Sequence, residues 1–214
     1  VSKEQLLLLK KIKEICPQRR RQIIENYRPD TLKNPTTNKN LEIDIYLKQL
    51  DIGIEYQGGV HFKYIRKYKN DVDKIKLYDI LKTDMTMLDK ALCIVEVFPQ
   101  DLVGDFCSNF INRLNNTQEF YFLNCKLKQV RRIEKFKMLI HNANKIPYKL
   151  GYYKKITSIM TVLEILSSKR DVEKRLRNFF NIHFIGKDIG FLSNEIFEKF
   201  IKKYTNGGVF GYGT

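Results

Sequence analysis

The sequence predicts an α/β fold: a core of helix, β-hairpin, helix and strand, followed by a basic and mainly helical extension. Three observations carry this reading. Residues 41–47 and 52–57 alternate apolar with polar side chains and are joined by Lys48, Gln49, Leu50 and Asp51, the pattern of a hairpin with a four-residue loop. From Val72 to Leu92 the apolar residues advance by three or four, and a compact apolar run then ends at Pro99. Charge is also unevenly divided. Of 39 Lys and Arg and 24 Asp and Glu, residues 1–125 hold 20 and 17, whereas residues 126–214 hold 19 and 7. Two regions are therefore expected, a core over 1–125 and a basic extension over 126–214.

Each element has a local reason. Residues 3–15 read as a helix with Leu6, Leu9 and Ile12 at helical spacing and Pro17 as its stop. Arg19, Arg20 and Arg21 follow, then Ile23 and Ile24. Residues 27–40, polar and holding Pro29 and Pro35, read as a loop. Beyond the hairpin, a basic stretch over 63–69 leads to a helix beginning near Asn70 or Asp71. Its stripe is Val72, Ile75, Tyr78, Leu81, Met85, Leu88 and Leu92. Residues 91–98 read as a buried strand carrying Glu96. Asp101 is placed to cap a helix with Val103, Phe106, Phe110 and Leu114 inward, and 119–125 read as a short strand. Helices are expected near 129–142, 154–167, 171–180 and 194–204, with a mobile tail over 205–214 that holds four glycines.

Composition bounds what the chain does. With 43% apolar and 12% aromatic residues it can build a core. The longest apolar run near the start, Leu6 to Leu9, is too short to cross a membrane, so no membrane partner is expected. The chain opens at Val1 rather than Met, as an excised piece of a longer protein would. Cys16, Cys93, Cys107 and Cys125 are far apart, which argues against a zinc or dithiol site and for a reducing, intracellular compartment. With three histidines, any metal is expected on oxygen ligands. A net charge of +15 concentrated in the last 89 residues points to a polyanion-binding half. Compositional bias would raise lysine evenly and would not strip acids from one end.

The hairpin carries the chemistry. Side chains on a strand alternate faces, so Ile43, Ile45 and Leu47 oppose Glu42, Asp44 and Tyr46. In the second strand Ile52, Ile54 and Tyr56 oppose Gly53, Glu55 and Gln57. A four-residue loop pairs Leu47 with Ile52, which sets Asp44 across from Glu55 and Glu42 across from Gln57. Opposed carboxylates repel. Either one keeps a proton through a raised pKa, or a cation sits between them. Two carboxylates and a nearby carbonyl suit Mg²⁺ or Mn²⁺. An amphipathic hairpin with its acids in solvent is the bland alternative.

These residues resemble a known family. Leu41-Glu-Ile-Asp-Ile-Tyr-Leu followed by Gly53-Ile-Glu-Tyr-Gln-Gly-Gly-Val-His-Phe62 is similar to the PD-(D/E)xK restriction-endonuclease-like nucleases, in the phage, homing and very-short-patch-repair-like branch. The resemblance covers roughly residues 2–98. It implies a restriction-endonuclease-like core over 1–125, with Asp44 and Glu55 binding Mg²⁺ or Mn²⁺ and Gln57 in the place of the usual lysine. Glu4 would act through water from the first helix. Asp84 resembles the acid of a later Asp-x-x-Lys feature, in which Met87 stands where lysine would be. Lys74 or Lys90 is then the available ammonium.

The expected function is a metal-dependent endonuclease hydrolysing DNA phosphodiester bonds, with Asp44, Glu55, Gln57 and Glu4 as catalytic residues. His61, Arg19, Arg20 and Arg21 are candidate nucleic-acid contacts, as are Lys169, Arg170, Lys174, Arg175 and Arg177 around the helix at 171–180. Double-strand cutting with one site per chain would favour a homodimer. The alternatives are a catalytically inactive nucleic-acid-binding module on the same fold and an RNA-cleaving nuclease.

Overall fold

Ser2 begins the first helix by capping. Its hydroxyl accepts from the Gln5 N–H at 3.0 Å, while the Gln5 side chain accepts from the Ser2 N–H at 2.7 Å. Helix α1 (Lys3–Ile15) follows, and Leu8, Leu9, Ile12 and Ile15 form its buried stripe. In this computed structural model residues 2–58, 72–86, 92–124, 126–146, 161–163, 171–184 and 192–205 are described.

Four strands form one mixed sheet: β1 (Ile23–Tyr27), β2 (Ile43–Leu47), β3 (Ile52–Tyr56) and β4 (Cys93–Val97), in that order. The first three are antiparallel neighbours, and β4 runs parallel to β3. A parallel neighbour needs a crossover, and α2 (Val72–Thr86) lies in that connection. The β2–β3 register is the expected one, with Leu47 on Ile52 and Ile45 on Ile54. Strand β1 lies where the sequence suggested only a connection. It is a half-exposed edge strand with two polar residues in five, so it shows little of the apolar alternation of a buried strand. Arginines 19–21 sit in a 3-10 turn, Pro17–Gln22, between α1 and β1.

The faces of the sheet are covered by different helices. Cys93, Val95 and Val97 join Leu8, Leu9 and Ile12 of α1 and Ile45, Ile52 and Ile54 in the main core. Ile94, pointing the other way, packs with Ile43, Leu92 and the α2 residues Tyr78 and Leu81 in a second cluster. Gly53 is required there: a Cβ would come within 3.0 Å of Ile43 Cγ2 and 3.3 Å of Leu92 Cδ1.

Helix α3 (Phe106–Leu123) is capped by Asp105, whose carboxylate accepts from the Cys107 N–H and the Ser108 hydroxyl. This corrects the capping role expected of Asp101. Asp101 lies in a preceding 3-10 turn, Pro99–Leu102, accepting from the Phe98 N–H and from both arms of Arg113. Val103 is correspondingly outside the core, 72% exposed. Residues 119–123 continue α3 rather than forming a strand. Their apolar run is ambiguous in isolation, but Gln118, Tyr121 and Phe122 extend the buried stripe of Phe110 and Leu114. The Tyr121 hydroxyl reaches β4, accepting from the Ile94 N–H at 3.0 Å and donating to its carbonyl at 3.4 Å.

Helices α4 (Leu127–Ala143), α5 (Val172–Phe184) and α6 (Asn194–Thr205) complete the described chain. Of the helix expected over 154–167, residues 161–163 are helical and the remainder lies outside the described residues, as does most of the tail. Ile133 and Phe136 of α4 and Phe197 and Ile201 of α6 belong to the same buried cluster as α1 and the sheet. Between α3 and α4 lies a buried polar group: Gln118 donates to Glu134 at 2.8 Å, and Lys137 donates to Gln118 at 2.9 Å and to Glu134 at 3.2 Å. Among the described residues no helix is long and apolar enough to cross a membrane.

Candidate active site

The β2–β3 ladder stops at Ile45 and Ile54. One residue further, the carboxylate of Asp44 takes the place of a ladder carbonyl: its Oδ2 accepts from the Tyr56 N–H at 2.9 Å. Its Oδ1 accepts from Gln5 Nε2 of α1 at 2.8 Å. Strict alternation fails at this point. Ile43 joins the second cluster, beside Gly53 and Leu92, whereas Ile45 and Leu47 remain in the main core. The single apolar face expected of Ile43, Ile45 and Leu47 is therefore split where the strand leaves its partner.

Glu55 is buried, and its Oε1 accepts from Lys82 Nζ of α2 at 2.9 Å. Burial pushes Glu55 up to about 8, opposed by the Lys82 charge and reinforced by the negative charge of Asp44. The two acids are thus electrically coupled, yet each is held by a different helix. Glu55 stands in register with Glu96 on the parallel strand β4. Gln57 is buried and donates to Glu96 Oε1 at 3.1 Å, with its own N–H on the Val97 carbonyl. Glu55 and Glu96 are thus neighbours, bound by Lys82 and Gln57. Asp44, expected directly across from Glu55, is instead held from α1, because the ladder ends at Ile45 and Ile54 before reaching it.

Other sequence candidates fall elsewhere. Glu4 is exposed; Gln5, the next residue, is the one that touches Asp44, while the Glu4 charge acts on the Tyr56 hydroxyl. Arg19 bonds Gln22 and Gln49, Arg20 bonds the Lys13 carbonyl, and Arg21 is exposed. Arg177 pairs with Glu173 and Glu198, whereas Lys174 and Arg175 are exposed. Asp84 is exposed on α2. His61, Met87, Lys90, Lys169, Arg170 and the side chain of Lys74 lie outside the described residues.

For Lys82 and Gln5 the sequence carries only a partial signal, a polar residue beside the buried stripe of its helix. Lys82 sits four residues after Tyr78 and next to Leu81, on the border of the inward stripe of α2. Gln5 precedes Leu8 and Leu9 by three and four, on the buried side of α1.

The donor chemistry suits a small hard cation. A carboxylate has about four acceptor sites, so Asp44 and Glu55 retain capacity beyond the hydrogen bonds they accept. Mg²⁺ is commonly held by one or two carboxylates with water and substrate phosphate completing its shell. Among the described residues no group of three or more His, Cys, Asp or Glu is arranged to hold a metal.

No family model matches the chain, and no solved structure matches it. A stretch of 78 residues is 43% identical to the "Uncharacterized protein 307L" of Invertebrate iridescent virus 6, covering 33% of this chain and 39% of that protein.

Proposed function

We propose that the protein is a metal-dependent endonuclease acting on DNA, with its active site at the open end of the β2–β3 ladder. The observation that carries this reading is geometric: where the β2–β3 ladder ends, Asp44 is fixed by Gln5 and the Tyr56 N–H, and buried Glu55 on the next strand accepts from Lys82 at 2.9 Å. Asp44 and Glu55 would hold Mg²⁺ or Mn²⁺. When bound, such an ion supplies a water of lowered pKa and neutralises charge on the scissile phosphate. The order helix, three antiparallel strands, helix, parallel strand supports the same reading, as does the +15 charge.

The chain's own residues have distinct parts. Gln5 and the Tyr56 N–H fix the Asp44 carboxylate. Lys82 supplies the ammonium that Gln57 lacks, from α2 rather than from the strand. In Glu55 the charged form is favoured by Lys82 and opposed by burial, so deprotonation accompanies ion binding. Gln57, a neutral amide turned toward Glu96, positions rather than abstracts a proton.

A nucleic-acid-binding module without catalysis is favoured by one observation: the Glu55–Lys82 pair balances its charge internally. Incubation of supercoiled plasmid, linear duplex, single-stranded DNA and RNA with Mg²⁺, Mn²⁺ or chelator separates the readings. Metal-dependent nicking that is lost in Asp44→Ala and Glu55→Ala supports the nuclease. Salt-sensitive binding with no cleavage under either metal supports the module, and cleavage confined to RNA supports a ribonuclease.

A further inference from the structure

Beside Glu96 lies a cleft of about 300 Å³ between α2, β4 and α3. Ile94, Glu96 and Phe98 form its floor, alternate residues of β4 and the residue after it, hence one face of the sheet. That is the face that carries Glu55, because Glu55 and Glu96 are in register. Helix α3 contributes Arg113, Asn116, Thr117 and Phe120, spaced three, four and seven apart on one stripe. Thr83, next to Lys82, closes the α2 side.

Charge restricts the occupant. Arg113 is committed to Asp101 through two hydrogen bonds of 3.1 Å, and its guanidinium lies 4.5 Å from the Phe98 ring centroid. The arginine of the wall is thus not available to a phosphate, and Glu96 adds an acceptor that is bonded by Gln57. Planar aromatic rings, an amide and a hydroxyl suit a flat, uncharged, hydrogen-bonding ligand. Phe120, which lines the cleft, is 42% exposed and within reach of a ligand there.

We infer that this cleft takes an unstacked nucleobase of the bound strand, stacked on Phe120 and hydrogen-bonded by the Asn116 amide and by the Thr117 hydroxyl oxygen, which accepts while its proton is donated to the Arg113 carbonyl at 2.9 Å. The assignment rests on the chain binding nucleic acid, as proposed above. Enzymes that extrude a base hold it by stacking and edge hydrogen bonds in this manner. Glu96 joins the two sites, lining the cleft while accepting from Gln57. The base would therefore lie next to the phosphate at Asp44 and Glu55.

Binding to the full chain in chelator tests this, read by anisotropy of a short labelled single strand and of a strand with the same phosphates but abasic sugars. The unsubstituted protein is expected to prefer the base-bearing strand. Phe120→Ala should weaken that strand roughly tenfold and leave the abasic strand unchanged, with Phe120→Tyr retaining the preference. Asn116→Ala, at an exposed helix position, should reduce the preference without altering the thermal melt. Equal weakening of both strands, weakening of neither, no initial preference, or no binding of either strand overturns the cleft. Base-selective binding without cleavage under any metal sinks the nuclease reading and leaves the cleft standing. Metal-dependent cleavage with selectivity untouched by Phe120→Ala does the reverse.

Discussion

Lys82 donates to Glu55 at 2.9 Å from a helix that approaches the sheet on the face opposite to α1. Both side chains are largely removed from solvent, so each depends on the other for compensation of its charge. The pair joins α2 to β3 at the point where β2 has already separated.

Glu55 makes stability pH-dependent. Its pKa rises from an unfolded value near 4.5 to about 8 in the fold, so the folded state binds the extra proton between those limits. The resulting stabilisation is fully present below 4.5 and is lost as pH rises through 8, by at most about 1.4 kcal/mol per pH unit. Glu55→Gln should flatten this slope in chemical denaturation at pH 5, 7 and 9. A slope that is unchanged would remove the buried acid as its cause.

Metal binding should show the converse dependence. An ion held by Glu55 would displace its proton, so the thermal shift produced by Mn²⁺ should grow from pH 6 to pH 8.5. Asp44→Asn should abolish it. An equal shift in that variant would place the ion elsewhere.

Gln5 has two duties, closing the α1 capping box and holding Asp44. Gln5→Ala should cost about 1–2 kcal/mol. Replacement by Glu keeps the box but sets a carboxylate against Asp44. In a denaturant series Gln5→Glu should therefore gain stability on acidification relative to the parent chain.

Gly53→Ala places a methyl 3.0 Å from Ile43. Overpacking of this kind costs about 1–3 kcal/mol. Pairing it with Ile43→Leu, which removes the Cγ2 methyl at 3.0 Å, should recover part of the loss; additive losses would show that the crowding lies elsewhere.

Lys137→Met leaves Glu134 buried with only Gln118 as a donor among the hydrogen bonds between α3 and α4 described above. The loss should be about 3–5 kcal/mol, whereas replacing Gln118, Glu134 and Lys137 together with apolar residues should be far milder. Equilibrium unfolding of both variants tests the difference.

Much of the fold was legible because periodicity and turn length are local. Helix α1, the four-residue hairpin loop and the strand before Pro99 all follow from spacing alone, although Leu6, set in the α1 stripe by that spacing, is 52% exposed while Leu8 and Ile15 are buried. Strand β1 was not, since an edge strand needs only one apolar side and its pairing with β2 is set by distant partners. Asp44 and Glu55 could be paired on paper from the register. Their separate holders, Gln5 and Lys82, lie 39 and 27 residues away in sequence, and only tertiary packing brings them together. The departure of Ile43 from alternation arises from the same break in the ladder, which no period-two pattern contains.

The Tyr121 hydroxyl on the Ile94 backbone has a further effect on how copies of this chain can assemble. Those two hydrogen bonds engage an N–H and a carbonyl at the margin of β4 among the described residues, so a foreign strand would have to displace a buried phenol to dock there. At the other margin, Asn26 adopts a left-handed backbone (φ 50°) within β1, which interrupts a flat template. Self-association by strand exchange or fibril-like growth is thereby discouraged at both margins of the sheet among the described residues.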